Sequence, residues 1–116
     1  MNNDGINDIA VGAYADDDGS TGNNNRGAVY ILFLNTDGTV SDYQKISDTE
    51  GGFTATLNDS DNFGVSIASI GDLNNDGVND IAVGAWFDDD GSTGDNDRGA
   101  VYILFLNTDG PVSNYQ

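Results

Sequence analysis

Residues 1–44 and 73–116 are nearly the same text. Placing Met1 on Leu73 carries the alignment to Gln44 on Gln116 without a gap. Eight of the 44 pairs differ: Met1/Leu73, Ile6/Val78, Tyr14/Trp86, Ala15/Phe87, Asn23/Asp95, Asn25/Asp97, Thr39/Pro111 and Asp42/Asn114. A repeat constrains the fold strongly, because each copy must form the same unit and neighbouring units must bury one another's faces. The period is 72 residues, so the 116-residue chain holds about 1.6 units. It begins one residue past the equivalent of Asp72 and stops partway through a unit. It therefore reads as a window on a longer repeat array, or as a building block that other copies complete.

The unit reads as β throughout. "DIAVGA" at 8–13 and 80–85 is short, apolar and ends in small residues. "GAVYILFLN" at 27–35 and 99–107 is rich in Val, Ile, Tyr and Phe, as strands are. Its unbroken apolarity predicts burial on both faces. "FGVSIASIG" at 63–71 alternates, with Val65 and Ile67 on one face and Ser66, Ala68 and Ile70 on the other. "VSDYQKIS" at 40–47 is more polar and suits a sheet edge. "NTDG" at 35–38 and 107–110 predicts a tight turn between a unit's third and fourth strands. No stretch shows a helical period. The expected fold is all-β, with four antiparallel strands per unit forming a blade-like sheet. The chain divides into a partial blade at 1–48 (strands two to four), an inter-blade linker at 49–62, and a second blade at 63–116 whose last strand is incomplete.

The charge is extreme. Twenty Asp and Glu stand against three Lys and Arg, a formal net charge of −17. Lys45, Arg26 and Arg98 are scattered, whereas a phosphate-binding face needs clustered cations; nucleic acid and anionic membrane surfaces are poor partners. Nineteen of the acids are Asp, which favours turns and supplies oxygen ligands to hard cations. The absence of Cys and His removes their nucleophiles and most zinc sites. It also removes disulfides. No apolar run approaches the ~18 residues of a membrane span.

The acids are most ordered in "GDLNNDGVNDIAVGAW" at 71–86. Asp72, Asn74, Asp76 and Asp80 stand at loop positions 1, 3, 5 and 9, with Gly77 after position 5. Alternate residues of a tight loop point inward, so positions 1, 3 and 5 face one centre. Val78 at position 7 offers only its carbonyl, aimed by the turn at Gly77, and Asp80 closes the shell. That is an oxygen cage for Ca²⁺. It is not an EF-hand, because position 12 is Val83 within a strand and flanking helices are absent. The bland alternative is an Asx-rich turn with solvated carboxylates. The Asp at position 9, the following strand and the repeated copy favour the metal. The first copy offers Asn2, Asp4, the Ile6 carbonyl and Asp8, without a position-1 Asp, and should bind more weakly unless another segment supplies the oxygen.

Phe63-Gly64, the 72–80 loop and Val83-Gly84-Ala85 together resemble the FG-GAP repeat of integrin α-subunit β-propellers and of many bacterial secreted proteins. Trp86, and Tyr14 in the first copy, replace the family's usual Pro. The resemblance covers nearly the whole chain. It implies four-stranded blades around an axis with Ca²⁺ between each unit's first two strands. The near-identical tandem units are most similar to long bacterial FG-GAP arrays.

Two further loops, "DDDGSTGNNNRG" at 16–27 and "DDDGSTGDNDRG" at 88–99, read first as solvated. A second cation site on Asp88, Asp90, Asp95 or Asp97 is the competing reading. Arg26 and Arg98 are expected to pair with neighbouring Asp. Asn58-Asp59-Ser60 fits an N-glycosylation triplet. The leading functional expectation is a calcium-stabilised structural or adhesion module outside a cell, in a larger propeller or repeat assembly. Its partners would be other copies of the repeat or the flanking parent chain, and a cell-surface protein or glycan. Two alternatives are an open fibre of stacked units and a carbohydrate-binding propeller using Tyr14 or Trp86. Paired carboxylates do hydrolyse glycosides, but acids that recur in every unit suit a repeated structural role better than one active site, so no catalysis is expected. A strand edge left open at 8–13 further predicts that the isolated monomer is not stable.

Overall fold

The computed structural model describes residues 1–18, 21–22, 24–89 and 98–116. The first sheet contains β1 (Ile9–Ala13), β2 (Ala28–Leu34) and β3 (Val40–Ile46). The second contains β4 (Ser66–Gly71), β5 (Asp80–Ala85), β6 (Ala100–Leu106) and β7 (Val112–Tyr115). Strand order follows the chain in each sheet and every pairing is antiparallel. The described residues contain no helix. The fold is all-β, with a three-stranded partial blade followed by a four-stranded one.

Repeated sequence yields repeated geometry. Ile9 opposes Leu32 and Val11 opposes Tyr30, as Ile81 opposes Leu104 and Val83 opposes Tyr102. The register slips at Phe33/Leu34 and again at the equivalent Phe105/Leu106. The turns that follow also match. The Asn35 amide donates to the Thr39 carbonyl at 2.8 Å, and the Asn107 amide to that of Pro111 at 2.8 Å. Gly38 (φ 84°) and Gly110 (φ 95°) take the left-handed conformation that these turns demand. The polar strand β3 is a sheet edge, as its composition predicts.

Strand alternation gives each sheet two faces. Val29, Ile31, Phe33 and Ile46 share one face of the first sheet and are buried. They join Ile81, Val83, Tyr102, Leu104, Leu106 and Val112 of the second sheet in one core. The sheets are therefore stacked through different faces. The opposite face of the first sheet stays open, with Ile9 45 %, Val11 43 % and Tyr43 61 % exposed, while Val101 on the far face of the second is 66 % exposed. Burial of β2 and β6 on both faces, expected from their apolarity, is thus realised on one face only. Within this chain each sheet has a single neighbour.

The segment 49–62 does more than connect. Phe53 and Leu57 are buried. Phe53 stacks on Phe63 with centroids 4.9 Å apart and meets Tyr102 and Tyr115 edge-on at 5.3 and 5.1 Å. The Phe63 backbone crosses to the first sheet, its amide donating to the Arg26 carbonyl at 3.0 Å beside a parallel bridge to Gly27. Gly64, at φ 91°, has the Ala28 carbonyl oxygen 2.5 Å from where its Cβ would lie. The Phe-Gly pair therefore supplies a buried ring and, next to it, a backbone position with no room for a side chain.

Close packing makes a testable distinction between equivalent glycines. A Cβ on Gly12 would overlap the Gly64 carbonyl oxygen, which is backbone, whereas one on Gly84 would overlap only the movable Ser66 hydroxyl. Gly12→Ala should cost about 1–3 kcal/mol, the usual range for overpacking, and Gly84→Ala clearly less. Urea unfolding of both variants checks the order; equal losses would contradict this account of the contact between sheets.

Candidate functional site

The loop 72–80 is organised by its own side chains. Asp72 accepts from the Asp76 amide through Oδ1 and from the Gly77 amide through Oδ2, both at 2.9 Å. Asn74 Oδ1 accepts from the same Asp76 amide at 3.1 Å, and its Nδ2 donates to Asp76 Oδ2 at 2.8 Å. Asp76 Oδ1 accepts from the Val78 amide at 2.8 Å. Positions 1, 3 and 5 thus turn into the loop together. Asn75 (φ 61°) and Gly77 (φ 89°) supply the left-handed turns, Asn being among the residues that tolerate this conformation best. Val78 is buried beneath them.

Asp80 makes a different set of contacts. It is fully buried, and its Oδ2 accepts from the Leu73 amide at 2.9 Å while Oδ1 accepts from the Leu106 amide at 3.1 Å. It fastens the start of the loop to β6. Among the described residues no three acidic side chains are gathered as a metal-holding group. The structure therefore brings Asp72, Asn74 and Asp76 together and anchors Asp80 beside them.

The first copy repeats the arrangement. Asn2 and Asp4 exchange hydrogen bonds, Nδ2 to Oδ2 at 2.9 Å and Asp4 amide to Asn2 Oδ1 at 3.2 Å, and the Ile6 amide donates to Asp4 Oδ1 at 2.8 Å. Asp8 accepts from the Leu34 amide at 3.1 Å, the Asn2 amide at 3.1 Å and the Met1 ammonium at 2.6 Å. Burial opposes ionisation of Asp8, but these donors and the nearby positive charge together hold its carboxyl below the usual range. Asn3 and Gly5 take the same left-handed turns as Asn75 and Gly77.

A cleft of about 570 Å³ opens between this first loop and the second sheet, lined by Asn3, Ile6, Asp8, Ile67, Ser69 and Ile81 among others. Asp8 is its one acidic or basic side chain, and both of that residue's oxygens are already bonded. The charged pair at the cleft is this carboxylate with the Met1 ammonium, and the Leu34 and Asn2 amides bind the same carboxylate.

The second acidic loops are anchored by structural contacts at their bases. The Gly27 amide donates to the Asp16 carbonyl, and the Gly99 amide to that of Asp88, both at 2.9 Å. Buried Asp88 accepts from the Tyr102 hydroxyl at 2.7 Å. Asp90, Asp95 and Asp97, the other candidates for a second cation site, lie outside the described residues. Arg26 does not pair within its own loop. It reaches Asp48 at 3.0 Å and Asp59 at 2.9 Å, acids brought near by the fold. Lys45 holds Asp16 and Asp18, at 2.9 and 2.6 Å, with Ser47 and Thr49 completing the cluster. Its ammonium is the main reason the Asp18 carboxyl lies below its ordinary value. Local sequence did not reveal this cluster; its one signal is that Lys45 is the chain's single lysine.

A sheet of antiparallel strands, an Asx-built loop leading into its second strand, and a like sheet stacked beside it define a propeller-type repeat module. The FG-GAP repeat family model matches residues 1–32 and 63–104, well over half the chain, and the chain belongs to that family. A search of the curated proteins finds no match.

The anchor role of Asp80 is separable from any ligand role. Asp80→Ala leaves two amides short of an acceptor, one of them buried, at about 1–3 kcal/mol for each buried group. In the presence of chelator Asp80→Ala should lower the unfolding midpoint sharply, whereas Asp76→Ala on the exposed loop should change it little. Comparable losses in chelator would show that Asp80 is not the loop's fastening.

Proposed function

We propose that this chain is a non-catalytic, calcium-stabilised structural or adhesion module that works outside the cell in a larger propeller or repeat assembly. The observation that carries the calcium reading is uncompensated charge. Asp72, Asp76 and Asp80 fall within nine residues, and no described Lys or Arg pairs with them. The donor set suits a hard cation: exposed carboxylate and amide oxygens of Asp72, Asn74 and Asp76, the Val78 carbonyl and the adjacent Asp80. Carboxylates that already accept from backbone amides keep further lone pairs for an ion. A bound Ca²⁺ would supply the positive charge that the loop lacks. Asn2, Asp4, Ile6 and Asp8 form the lesser site, with fewer acids.

Membership in the FG-GAP family supports the repeat-assembly and extracellular parts of the reading. Extracellular modules bind Ca²⁺ with Kd of roughly 10⁻⁴–10⁻³ M, so such a loop stays loaded where calcium is millimolar. The non-catalytic part rests on acids that recur from copy to copy in structural contacts, as Asp8 and Asp80 do on the Leu34 and Leu106 amides. Trp86, 57 % exposed and set against Phe87 with centroids 4.9 Å apart, is the feature that favours a glycan among surface ligands.

Calcium at ten times its Kd should stabilise the fold by about 1.4 kcal/mol per site, a rise in Tm of roughly 5–10 °C for a chain of this size. Thermal melts in millimolar Ca²⁺ and in chelator measure it, and Asp76→Ala should remove most of the difference. Identical melting with and without Ca²⁺ would overturn the calcium reading.

A further inference from the structure

We infer that the two outer faces of this chain are complementary to each other, and that its copies associate head to tail through them. Equivalent residues of the two repeat copies differ in burial. Val29 is fully buried and its equivalent Val101 is 66 % exposed. Ile31 and Phe33 are buried, while Ile103 and Phe105 are half-buried. On the opposite faces the order reverses. Ile81 and Val83 are fully buried, whereas Ile9 and Val11 are 45 % and 43 % exposed; Val112 is 7 % exposed and Val40 50 %.

The internal contact therefore joins the 29–33 face of one sheet to the 81–83, 104–112 face of the next. The chain displays the same two surfaces again, unpaired. The 101–105 face repeats the first surface, and the face carrying Ile9, Val11 and Val40 repeats the second. Any occupant that fits the 101–105 face must present what the second sheet presents internally. A second copy of this chain presents it. Such contacts are heterologous, and they either close into a ring or propagate.

Two physical terms limit the strength. The internal contact also includes Phe53, Leu57 and Phe63, whereas a contact between copies relies on the strand faces alone. The net charge of −17 opposes association where the copies approach within a Debye length, about 10 Å at 0.1 M salt, and is screened beyond it. Association should therefore be concentration-dependent and strengthened by salt. This inference rests on the reading of the chain as a repeat module but not on calcium.

Sedimentation of the 116-residue chain over a hundredfold concentration range, at high salt, in Ca²⁺ and again in chelator, tests it. The mass should rise from 12.1 kDa toward its multiples. Val11→Asp and Val101→Asp alter exposed positions on opposite faces, so each should remain folded by circular dichroism and monomeric alone. Mixed, they should form a dimer that grows no further, because each retains the face the other lacks. A wild-type chain that stays at one mass throughout, variants that still self-associate, or a mixture that stays monomeric would each overturn the proposal. The first result would assign these faces to an occupant other than a second copy. Loss of the calcium effect on melting, with association retained in both buffers, would count against the calcium reading alone.

Discussion

The structure depends on the face-to-face contact between its two sheets. A strand segment such as "AVYILFL" has apolar side chains on both faces, and a lone sheet would leave all of them in water. Stacking covers one face of each sheet. Burying a Leu, Ile or Phe side chain is worth about 1.5–3 kcal/mol relative to exposure, and the shared core contains Ile31, Phe33, Ile81, Leu104 and Leu106. No disulfide contributes, since the chain has no Cys. Phe63 fastens the arrangement from both directions: its ring lies among Phe53 and Tyr102, and its backbone is bonded to the first sheet.

The acids are distributed around this contact in two ways. In the loops 2–8 and 72–80 they satisfy backbone amides, so Asp and Asn build the turns that deliver the chain into β1 and β5. Around Arg26 and Lys45 they gather on the two cations, 22 to 33 residues distant in sequence. Neutralising Lys45 would leave Asp16 and Asp18 facing each other without a counter-charge. Among the described residues no Lys or Arg pairs with the acids of the loop 72–80.

Much of the architecture was legible from repetition and strand composition. The 72-residue period placed β1–β3 against β5–β7, the "NTDG" turns formed as expected, and Gly77 took the left-handed turn that its position required. Residues distant in sequence were not legible. Asp80 reads as the last ligand of a loop, yet its carboxylate is also a buried acceptor for the Leu106 amide, 26 residues away. Arg26 was expected to find acids beside it and instead found Asp48 and Asp59. The segment 49–62, polar enough to read as a linker, brings Phe53 and Leu57 into the core. Each of these depends on which surfaces the fold juxtaposes, and local pattern carries no record of that.

Native-state hydrogen exchange most directly tests whether the two sheets form one cooperative unit. The amides of Ile31 in β2 and Leu104 in β6 should share the free energy of global opening, the most protected level in a cooperative fold. Phe63→Ala should lower both by the same amount. If one sheet exchanges through an opening of its own and is indifferent to that substitution, the sheets fold independently, and the contact between them is not what holds the molecule together.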